Sequence, residues 1–387
     1  MGQGSDLPLA KRRNSRDRRS RLSTSKLSGA KMTLVMTMNE KNLEHSTSRR
    51  SLLRWAVAGG VAAALHPGRE TLFAQQAAAT VQTVTGAIPV SELGVTLMHE
   101  HIVTDLRDPG ARRPEDYNRE EAVRVALPHL EELRRAGCRT LVEITPIHIG
   151  RDPEALRMLA EKTGLHIVCA TGIYGAAKQR FIPDYALRES AEELAQRYAR
   201  EFREGIGDTG IKTGVIKTGV NAATPLPEIE RKLVRAAALA HKQTGLTVAS
   251  HTGPGAPALE ELDILASVGV APKSLIWVHA QGEKDHEIHR WVAREGAWVE
   301  FDGIGPKSMD WHLECVRFMA EAGLLRRTLV SQDAGWYHPG EPGGGDYRGY
   351  TLLFTQFVPK LRASGFSQQE IDQLLVRNPA AALSGTD

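Results

Sequence analysis

Short apolar runs alternate with longer amphipathic segments from about residue 90 to the end of the chain. The short runs are rich in β-branched residues, and their length and composition predict strands. Eight strands are predicted, over residues 95–103, 140–145, 166–174, 213–220, 246–252, 275–280, 297–303 and 328–333. The segments between them repeat apolar residues at i, i+3 and i+4 and end in glycine, which predicts helices; the clearest are 120–137, 152–164 and 225–245.

This order of elements predicts the class of fold. Strands that alternate with helices form parallel βαβ units, and runs that are apolar on both faces indicate a sheet covered on both sides. Eight units in about 300 residues predict a (β/α)8 TIM barrel. The alternative is an open doubly wound sheet, but no glycine-rich fingerprint follows the first strand. Two terminal helices are also predicted, over 349–365 and 367–383, the second with a capping box from Ser367 to Glu370.

The N-terminal region differs in composition from the rest of the chain. Twin arginines, Arg49 and Arg50, precede a short apolar stretch and then small residues, a pattern typical of a twin-arginine export signal over 48–79. We expect the basic extension, 1–47, to lie outside the mature protein, and the protein to be periplasmic or otherwise exported. An uncleaved anchor is the alternative, although the apolar part, 55–65, is short against the ~20 residues that a bilayer span needs. The folded domain is expected over 80–387.

Charge and cysteine content restrict the function further. Residues 1–79 hold 14 of the 49 basic and 5 of the 46 acidic residues, which leaves 35 and 41 and a net charge of −6 for the remainder. A mildly acidic body argues against nucleic acid as a partner, because phosphate binding requires clustered positive charge. The three cysteines show no CxxC spacing and predict no disulfide framework.

Polar residues occur at the ends of the predicted strands. In a parallel barrel the active site lies at the carboxyl ends of the strands. The polar residues at or near those ends are His99, His101, Glu143, Lys217, His251, His279 and Asp333. His99 and His101 are two positions apart, so both side chains face the barrel interior while Glu100 faces away. Four histidines and an aspartate gathered at one buried rim would be costly unless they bind a cation.

The ligand types indicate which cations these are. Imidazole and carboxylate ligands favour zinc, with manganese, cobalt or iron as alternatives. Five side chains exceed one tetrahedral site, so two divalent ions are expected. Lys217 beside them should be driven to its neutral amine, which can react with carbon dioxide to form an anionic carbamate that bridges the two ions. The alternative is an ion pair between Lys217 and an acidic residue elsewhere.

An ordered set of motifs resembles a known family. "HEH" at 99–101, "GVIK" at 214–217, "SHT" at 250–252, "VHA" at 278–280 and "VSQD" at 330–333 resemble the phosphotriesterase family of the amidohydrolase superfamily, as do "GRD" at 150–152 and "NPA" at 378–380. The resemblance runs from about residue 82 to the end. It implies a (β/α)8 barrel with a binuclear metal centre and, in many members, a homodimer.

The resemblance also implies a role for each ligand. His99, His101 and Asp333 would bind the more buried ion, His251 and His279 the more exposed ion, and carboxylated Lys217 would bridge them together with a hydroxide. Some relatives bridge their ions with a glutamate at the position of Glu143 and lack the lysine. This chain has both residues; we expect Lys217 to be the bridge and Glu143 to be the alternative.

The expected reaction is hydrolysis of a small-molecule phosphotriester, ester or lactone. A hydroxide made available by two ions would attack the phosphorus or carbonyl carbon, and Asp333 would accept the proton. Residues of the loops after the third, seventh and eighth strands are expected to line the pocket: Tyr174, Arg180, Ile304, Lys307, Trp336 and Tyr337. Lactonases resemble the chain at Tyr174, yet they usually carry arginine where Gly303 stands here. A catalytically silent metal-binding or partner-binding barrel is the alternative.

Overall fold

The computed structural model describes residues 79–386. The predicted basic extension and all but the last residue of the predicted export signal lie outside this range, so both stay predictions. Within the described range, no helix combines the length and the apolar character that crossing a membrane requires.

The eight predicted strands form one parallel sheet in the order of the chain. A short antiparallel hairpin, β1 (Thr80–Thr83) and β2 (Gly86–Pro89), precedes them. The barrel strands are β3 (Thr96–Glu100), β4 (Thr140–Glu143), β5 (His166–Thr171), β6 (Val215–Gly219), β7 (Val248–His251), β8 (Leu275–Val278), β9 (Trp298–Phe301) and β10 (Thr328–Val330). Each strand pairs with the next one along the chain, which confirms the predicted (β/α)8 barrel.

Helices connect the strands. Their bounds are α1 (Arg119–Arg135), α2 (Pro153–Thr163), α3 (Asp184–Arg188), α4 (Ala191–Arg203), α5 (Glu228–Thr244), α6 (Gly255–Ser267), α7 (His286–Arg294) and α8 (Met309–Glu321). Local sequence fixes many of their ends. Asn118 and Asp152 accept backbone N–H bonds at the starts of α1 and α2, and Gly164 and Gly245 adopt the left-handed conformation after α2 and α5.

The two predicted terminal helices are correct in position but are not regular. The first consists of a π-helical turn, Leu353–Phe357, followed by α9 (Val358–Ala363). The second runs through α10 (Gln368–Asp372), a π-helical turn over Gln373–Arg377 and α11 (Asn378–Ser384), and the predicted capping box is present at its start. Each π turn comes just before a proline, at 359 and 379. Proline has no N–H for an i−4 bond, so the local bonding shifts to i−5.

Alternation along the strands separates two apolar layers. Val142, Val215 and Ala249 belong to the cluster inside the barrel, while their neighbours Leu141 and Ile216 pack on the helices outside. Residues of the hairpin region and of the last helix join the inner cluster, among them Val81, Leu93 and Leu383. The amino end of the barrel is therefore filled with apolar side chains, which leaves the carboxyl end for polar chemistry.

Glu100 joins the last strand region to the first. Its carboxylate accepts hydrogen bonds from the hydroxyl of Ser331 at 2.8 Å and from the backbone N–H groups of Gln332 at 3.0 Å and Ala334 at 2.7 Å. The side chain faces away from the barrel axis, as the sequence predicted. Because these donors flank Asp333, Glu100 fixes the backbone that carries this aspartate against the strand that carries His99.

Candidate metal centre

Four imidazole rings form a continuous chain across the carboxyl end of the barrel. The ring centroids of His101 and His99 are 5.3 Å apart, those of His99 and His279 are 5.1 Å apart, and those of His279 and His251 are 4.4 Å apart. His99 and His101 are buried, whereas His251 and His279 are partly exposed. The structure thus brings together the four histidines that the sequence selected.

A bulge in β3 allows both histidines of this strand to face inward. Met98 belongs to the inner cluster and Leu97 to the outer one, so strict alternation would turn His99 outward. The pairing with β4 shifts register between Leu97 and Glu100, which inserts one extra residue into β3. The shift returns His99 to the interior and leaves His101 on the same side.

Asp333 completes a first group of ligand atoms. Its Oδ1 lies 3.1 Å from Nε2 of His101 and 3.7 Å from Nε2 of His99, and ligand atoms of the three residues lie within 4.8 Å of one another. Its backbone is left-handed, with φ of 51°, and its N–H donates to the carbonyl of His99. Burial alone would raise the pKa of Asp333, but the adjacent imidazoles hold it well below the usual range. Asp333 is therefore ionised at neutral pH.

His279 is positioned by Asp302, which the sequence analysis did not select. His279 adopts φ of 62°, and both its N–H and its Nδ1 lie against the carboxylate of Asp302, at 2.8 and 2.6 Å. The same carboxylate is 3.2 Å from Nδ1 of His99, and these three residues form a second group of clustered ligand atoms. The signal was available, because Asp302 follows β9 as Asp333 follows β10.

Glu300 is a second acidic residue that sequence reasoning missed. It points into the barrel from β9, and its Oε2 lies 3.5 Å from Nδ1 of His99. Neither carboxylate oxygen has a hydrogen-bond partner within residues 79–386. Burial and Lys217 both lower the pKa of His99, but the carboxylates of Asp302 and Glu300 outweigh them and raise it to about 10. These two acids thus stabilise the protonated, positively charged form of His99.

Lys217 points into the same interior from β6. Its side chain is buried, and its Nζ has no hydrogen-bond partner among the described residues. Burial lowers the pKa of Lys217 to about 8, so a substantial share of the amine is neutral near physiological pH. The backbone of Gly172 packs on this strand so closely that an added Cβ would lie 2.0 Å from the carbonyl oxygen of Lys217.

Glu143 faces outward rather than toward the cluster. Its carboxylate accepts from the N–H of Ile102 at 3.1 Å, from the N–H of Thr145 at 3.3 Å and from the hydroxyl of Thr145 at 2.5 Å. The Thr145 hydroxyl also lies 2.7 Å from Nδ1 of His101. Glu143 therefore acts on the cluster through Thr145 and His101.

The donor set fits a divalent cation. While Glu143 is ionised, Thr145 donates its only hydroxyl proton to that carboxylate, so it accepts from Nδ1–H of His101. The lone pair of His101 Nε2 then faces Oδ1 of Asp333, which has no hydrogen-bond donor within the described residues. Two acceptors 3.1 Å apart repel each other unless a cation binds both. Nitrogen and carboxylate ligands of this kind suit zinc and related metals.

Two of the expected pocket residues lie beside the cluster. The ring of Tyr174 is 5.1 Å from that of His251, and the ring of Trp336 is 5.2 Å from that of His101. Arg180 is exposed, and its guanidinium lies 5.1 Å from the ring centroid of Phe181. Lys307 is also exposed, in the loop after β9.

Tyr337 and Ile304 do not line the mouth, which corrects the prediction for both. Tyr337 follows Trp336 and faces the opposite way, with its ring 6.3 Å from that of Tyr117 and its hydroxyl 3.2 Å from a carboxylate oxygen of Glu121. Ile304 is 2% exposed and belongs to the apolar cluster shared with the helices. Position within a loop did not reveal which side chains turn toward the barrel axis.

A parallel (β/α)8 barrel with clustered histidines at its carboxyl rim defines a class of enzymes with a metal site at that rim. Residues 79–383 match the model of the phosphotriesterase family, and the chain belongs to this family. Family membership and the names of its relatives indicate a hydrolase, and enzymes of this family generally use a divalent metal.

Relatives from distant organisms cover most of the chain. A phosphotriesterase homology protein of Escherichia coli is 31% identical over 74% of this chain and 97% of its own length. An aryldialkylphosphatase of Saccharolobus solfataricus is 25% identical over 76% of this chain and 96% of its own. An N-acetyltaurine hydrolase of Mus musculus is 28% identical over 77% and 96%, respectively.

Proposed function

We propose that the protein is a binuclear metal-dependent hydrolase that cleaves an ester, lactone or phosphotriester bond of a small molecule. The observation that carries this proposal is the approach of Asp333 Oδ1 to His101 Nε2, two acceptors aimed at one point within a chain of four imidazoles. His99, His101 and Asp333 would hold one ion, and His251 and His279 the other. Zinc is the first expectation, with manganese, cobalt or iron as alternatives.

The bound ions would lower the pKa of a water molecule and polarise the C=O or P=O oxygen of the substrate. The side chains supply orientation and proton transfer. Asp302 holds the His279 ring through Nδ1, and Thr145 holds the His101 ring in the same way. Asp333, which is ionised and partly exposed, would accept the proton of the attacking water and release it to the mouth.

Carboxylated Lys217 is the proposed bridge between the two ions. Its buried amine without a partner and its lowered pKa support this assignment, because the neutral amine is the form that reacts with carbon dioxide. Glu143 is the weaker alternative, since both of its oxygens already accept hydrogen bonds on the outer side of β4.

Lys217→Ala and Glu143→Gln form a matched pair of variants that tests the bridge. We expect Lys217→Ala to bind fewer than two ions per chain and to lose about 100-fold in kcat, the upper end of the loss typical for removal of a group that organises a metal site. Glu143→Gln should keep two ions. Metal content by elemental analysis and turnover decide the result; two ions and normal turnover in Lys217→Ala would remove the carbamate from the mechanism.

A direct assay must identify the type of bond that the protein cleaves. Relatives named for phosphotriester and N-acyl substrates define the panel: aryl phosphotriesters, aryl esters, lactones and N-acyl amino sulfonates, tested on zinc-loaded and manganese-loaded protein. Hydrolysis of any ester, lactone or phosphotriester supports the proposal. Two bound ions without turnover on any of the four classes would favour a binding barrel instead, and turnover of the N-acyl amino sulfonates alone would replace the ester bond by an amide bond in the proposal.

We further propose that the protein acts after export by the twin-arginine route, on the strength of Arg49, Arg50 and the apolar stretch that follows them. Periplasmic fractionation and the mass of the mature chain test this proposal. A cytoplasmic, full-length product would contradict it.

A further inference from the structure

An exposed arginine, Arg348, contacts the backbone of the proposed catalytic aspartate. The guanidinium of Arg348 donates to the backbone carbonyl of Asp333 and lies 5.7 Å from the ring centroid of Trp336. Trp336 also donates to this carbonyl through Nε1, and its ring contacts His101. Arg348 makes no ion pair with a carboxylate in the described part of the chain, so its charge is free to meet a ligand.

A second arginine, Arg180, is connected to the other end of the chain of imidazole rings, at His251. Arg180 lies over Phe181, whose ring is 6.4 Å from that of Tyr174, and Tyr174 in turn contacts His251. The guanidinium of Arg180 donates to the carbonyl of Ala177 and, within residues 79–386, forms no ion pair with an acid. Ring contacts therefore connect both arginines to the imidazole chain, Arg348 to His101 through Trp336 and Arg180 to His251 through Phe181 and Tyr174.

A strained and anchored turn sets the position of Arg180. Ala177, Lys178 and Gln179 are three consecutive non-glycine residues with φ between 49° and 64°. Each left-handed residue costs on the order of 1–2 kcal/mol, so neighbouring bonds must stabilise the turn. The N–H of Lys178 donates to Oδ1 of Asn221, and Nε2 of Gln179 donates to the buried carboxylate of Glu230. This anchoring holds the loop at the mouth.

Three acids in this region already interact with basic groups. Asp105 pairs with Arg107 and Arg112, and Asp302 and Asp333 belong to the histidine cluster. Arg348 and Arg180 add positive charge that no carboxylate within residues 79–386 pairs with. Guanidinium groups form bidentate hydrogen bonds with carboxylates and other oxyanions, and they keep their charge at all working pH values.

We propose that the substrate is an anion, a carboxylate or sulfonate that also contains the scissile ester bond, and that Arg348 and Arg180 bind its charged end. This inference rests on the proposed hydrolase function and deepens it by naming the substrate class. A neutral phosphotriester or simple lactone leaves both guanidinium groups without a partner. An acidic substrate places its charged end on one of them while its ester carbonyl lies at the histidine cluster.

A matched pair of substrates tests the charge. Mono-4-nitrophenyl glutarate carries a free carboxylate, and its methyl ester has the same chain without the charge. We expect the metal-loaded protein to favour the acid by at least 10-fold in kcat/KM, and the preference to fall as ionic strength rises. Arg348→Gln and Arg180→Gln should each reduce the ratio of the two kcat/KM values several-fold.

Arg235→Gln serves as the control variant, because Arg235 is a partly exposed arginine of α5 that pairs with Glu192 outside the barrel. This variant should keep the full preference. A binding measurement stands beside the kinetics: the affinity of metal-loaded protein for glutarate, measured by calorimetry, should fall about 10-fold in Arg348→Gln and stay unchanged in Arg235→Gln.

The outcomes separate the two proposals. Equal kcat/KM for acid and methyl ester, or a preference that survives both arginine variants, overturns the anionic substrate while the hydrolase stands. Failure to hydrolyse either ester or any member of the ester, lactone and phosphotriester panel overturns the proposed function as a hydrolase of these three bond types. In that case glutarate binding decides the anion site: loss of binding in Arg348→Gln supports it, and unchanged binding rejects it.

Discussion

Replacement of Thr145 by valine should weaken metal binding in addition to lowering the stability of the metal-free fold. The side chains are nearly equal in size, so the change removes the hydroxyl and little else. This hydroxyl lies 2.7 Å from Nδ1 of His101 and donates to Glu143 over 2.5 Å. Without the hydroxyl, the buried Nδ1 of His101 loses its hydrogen-bond partner. The bond to Thr145 then no longer fixes which ring nitrogen carries the proton.

The size of the effect follows from these two contacts. Removal of a hydrogen bond that orients a metal-ligating histidine typically costs 10- to 100-fold in metal affinity, which corresponds to about 1.4–2.7 kcal/mol. The free energy of unfolding of the metal-free protein should fall by about 1–3 kcal/mol, the usual cost of one buried polar atom left without a partner.

Thr140→Val is the matched control, because Thr140 lies at the opposite end of the same strand. Its hydroxyl is buried and donates to the carbonyl of Leu93 at 2.6 Å, at the amino end of the barrel, which is filled with apolar side chains. Thr145→Ser restores a hydroxyl and should recover most of the affinity. Competition for zinc against a chromophoric chelator measures affinity, and denaturant unfolding measures stability.

Either of two outcomes would contradict this prediction. If Thr145→Val and Thr140→Val bind zinc equally well, or if Thr145→Ser stays as weak as the valine variant, then the hydroxyl does not orient His101. The chain from Glu143 through Thr145 to His101 would then be structural only.

Two further predictions concern backbone geometry and the second histidine pair. Gly335→Ala should destabilise the protein by more than about 3 kcal/mol in denaturant unfolding, since φ is 95° and the added Cβ would lie 1.8 Å from the carbonyl of His101. Gly343→Ala, with φ of 63° and no atom within 4 Å, should lose only about 1 kcal/mol; equal losses would contradict the steric argument. Asp302→Asn should lower the number of ions bound per chain, because the amide nitrogen cannot accept from His279; unchanged metal content by elemental analysis would refute this role.

Local periodicity was sufficient to predict the barrel. Side chains alternate along a strand and repeat every 3.6 residues along a helix, so the order of elements is encoded in short windows of sequence. The same rule located the four histidines and Asp333, because parallel strands bring their carboxyl ends together whatever the loops contain. The same rule also points to Asp302, because this residue directly follows β9.

Contacts between residues that are distant in the chain could not be predicted from local periodicity. The bond between Ser331 and Glu100 joins positions 231 apart, and it closes the barrel where the ligands meet. The inward turn of His99 depends on how β3 pairs with β4, and the outward turn of Tyr337 depends on what packs around its loop. None of these follows from the residues next to them in the chain.

The sequence by itself therefore determined the architecture, the rim at which polar side chains gather and the types of the candidate metal ligands. The tertiary structure decided which acid faces the cluster and which one orients it, as the contrast between Glu300 and Glu143 shows. It also decided that Arg348 contacts the backbone of Asp333. The physical reason is that periodicity sets the face on which a side chain lies, whereas a hydrogen-bond partner is set by the packing of segments that are remote in the chain.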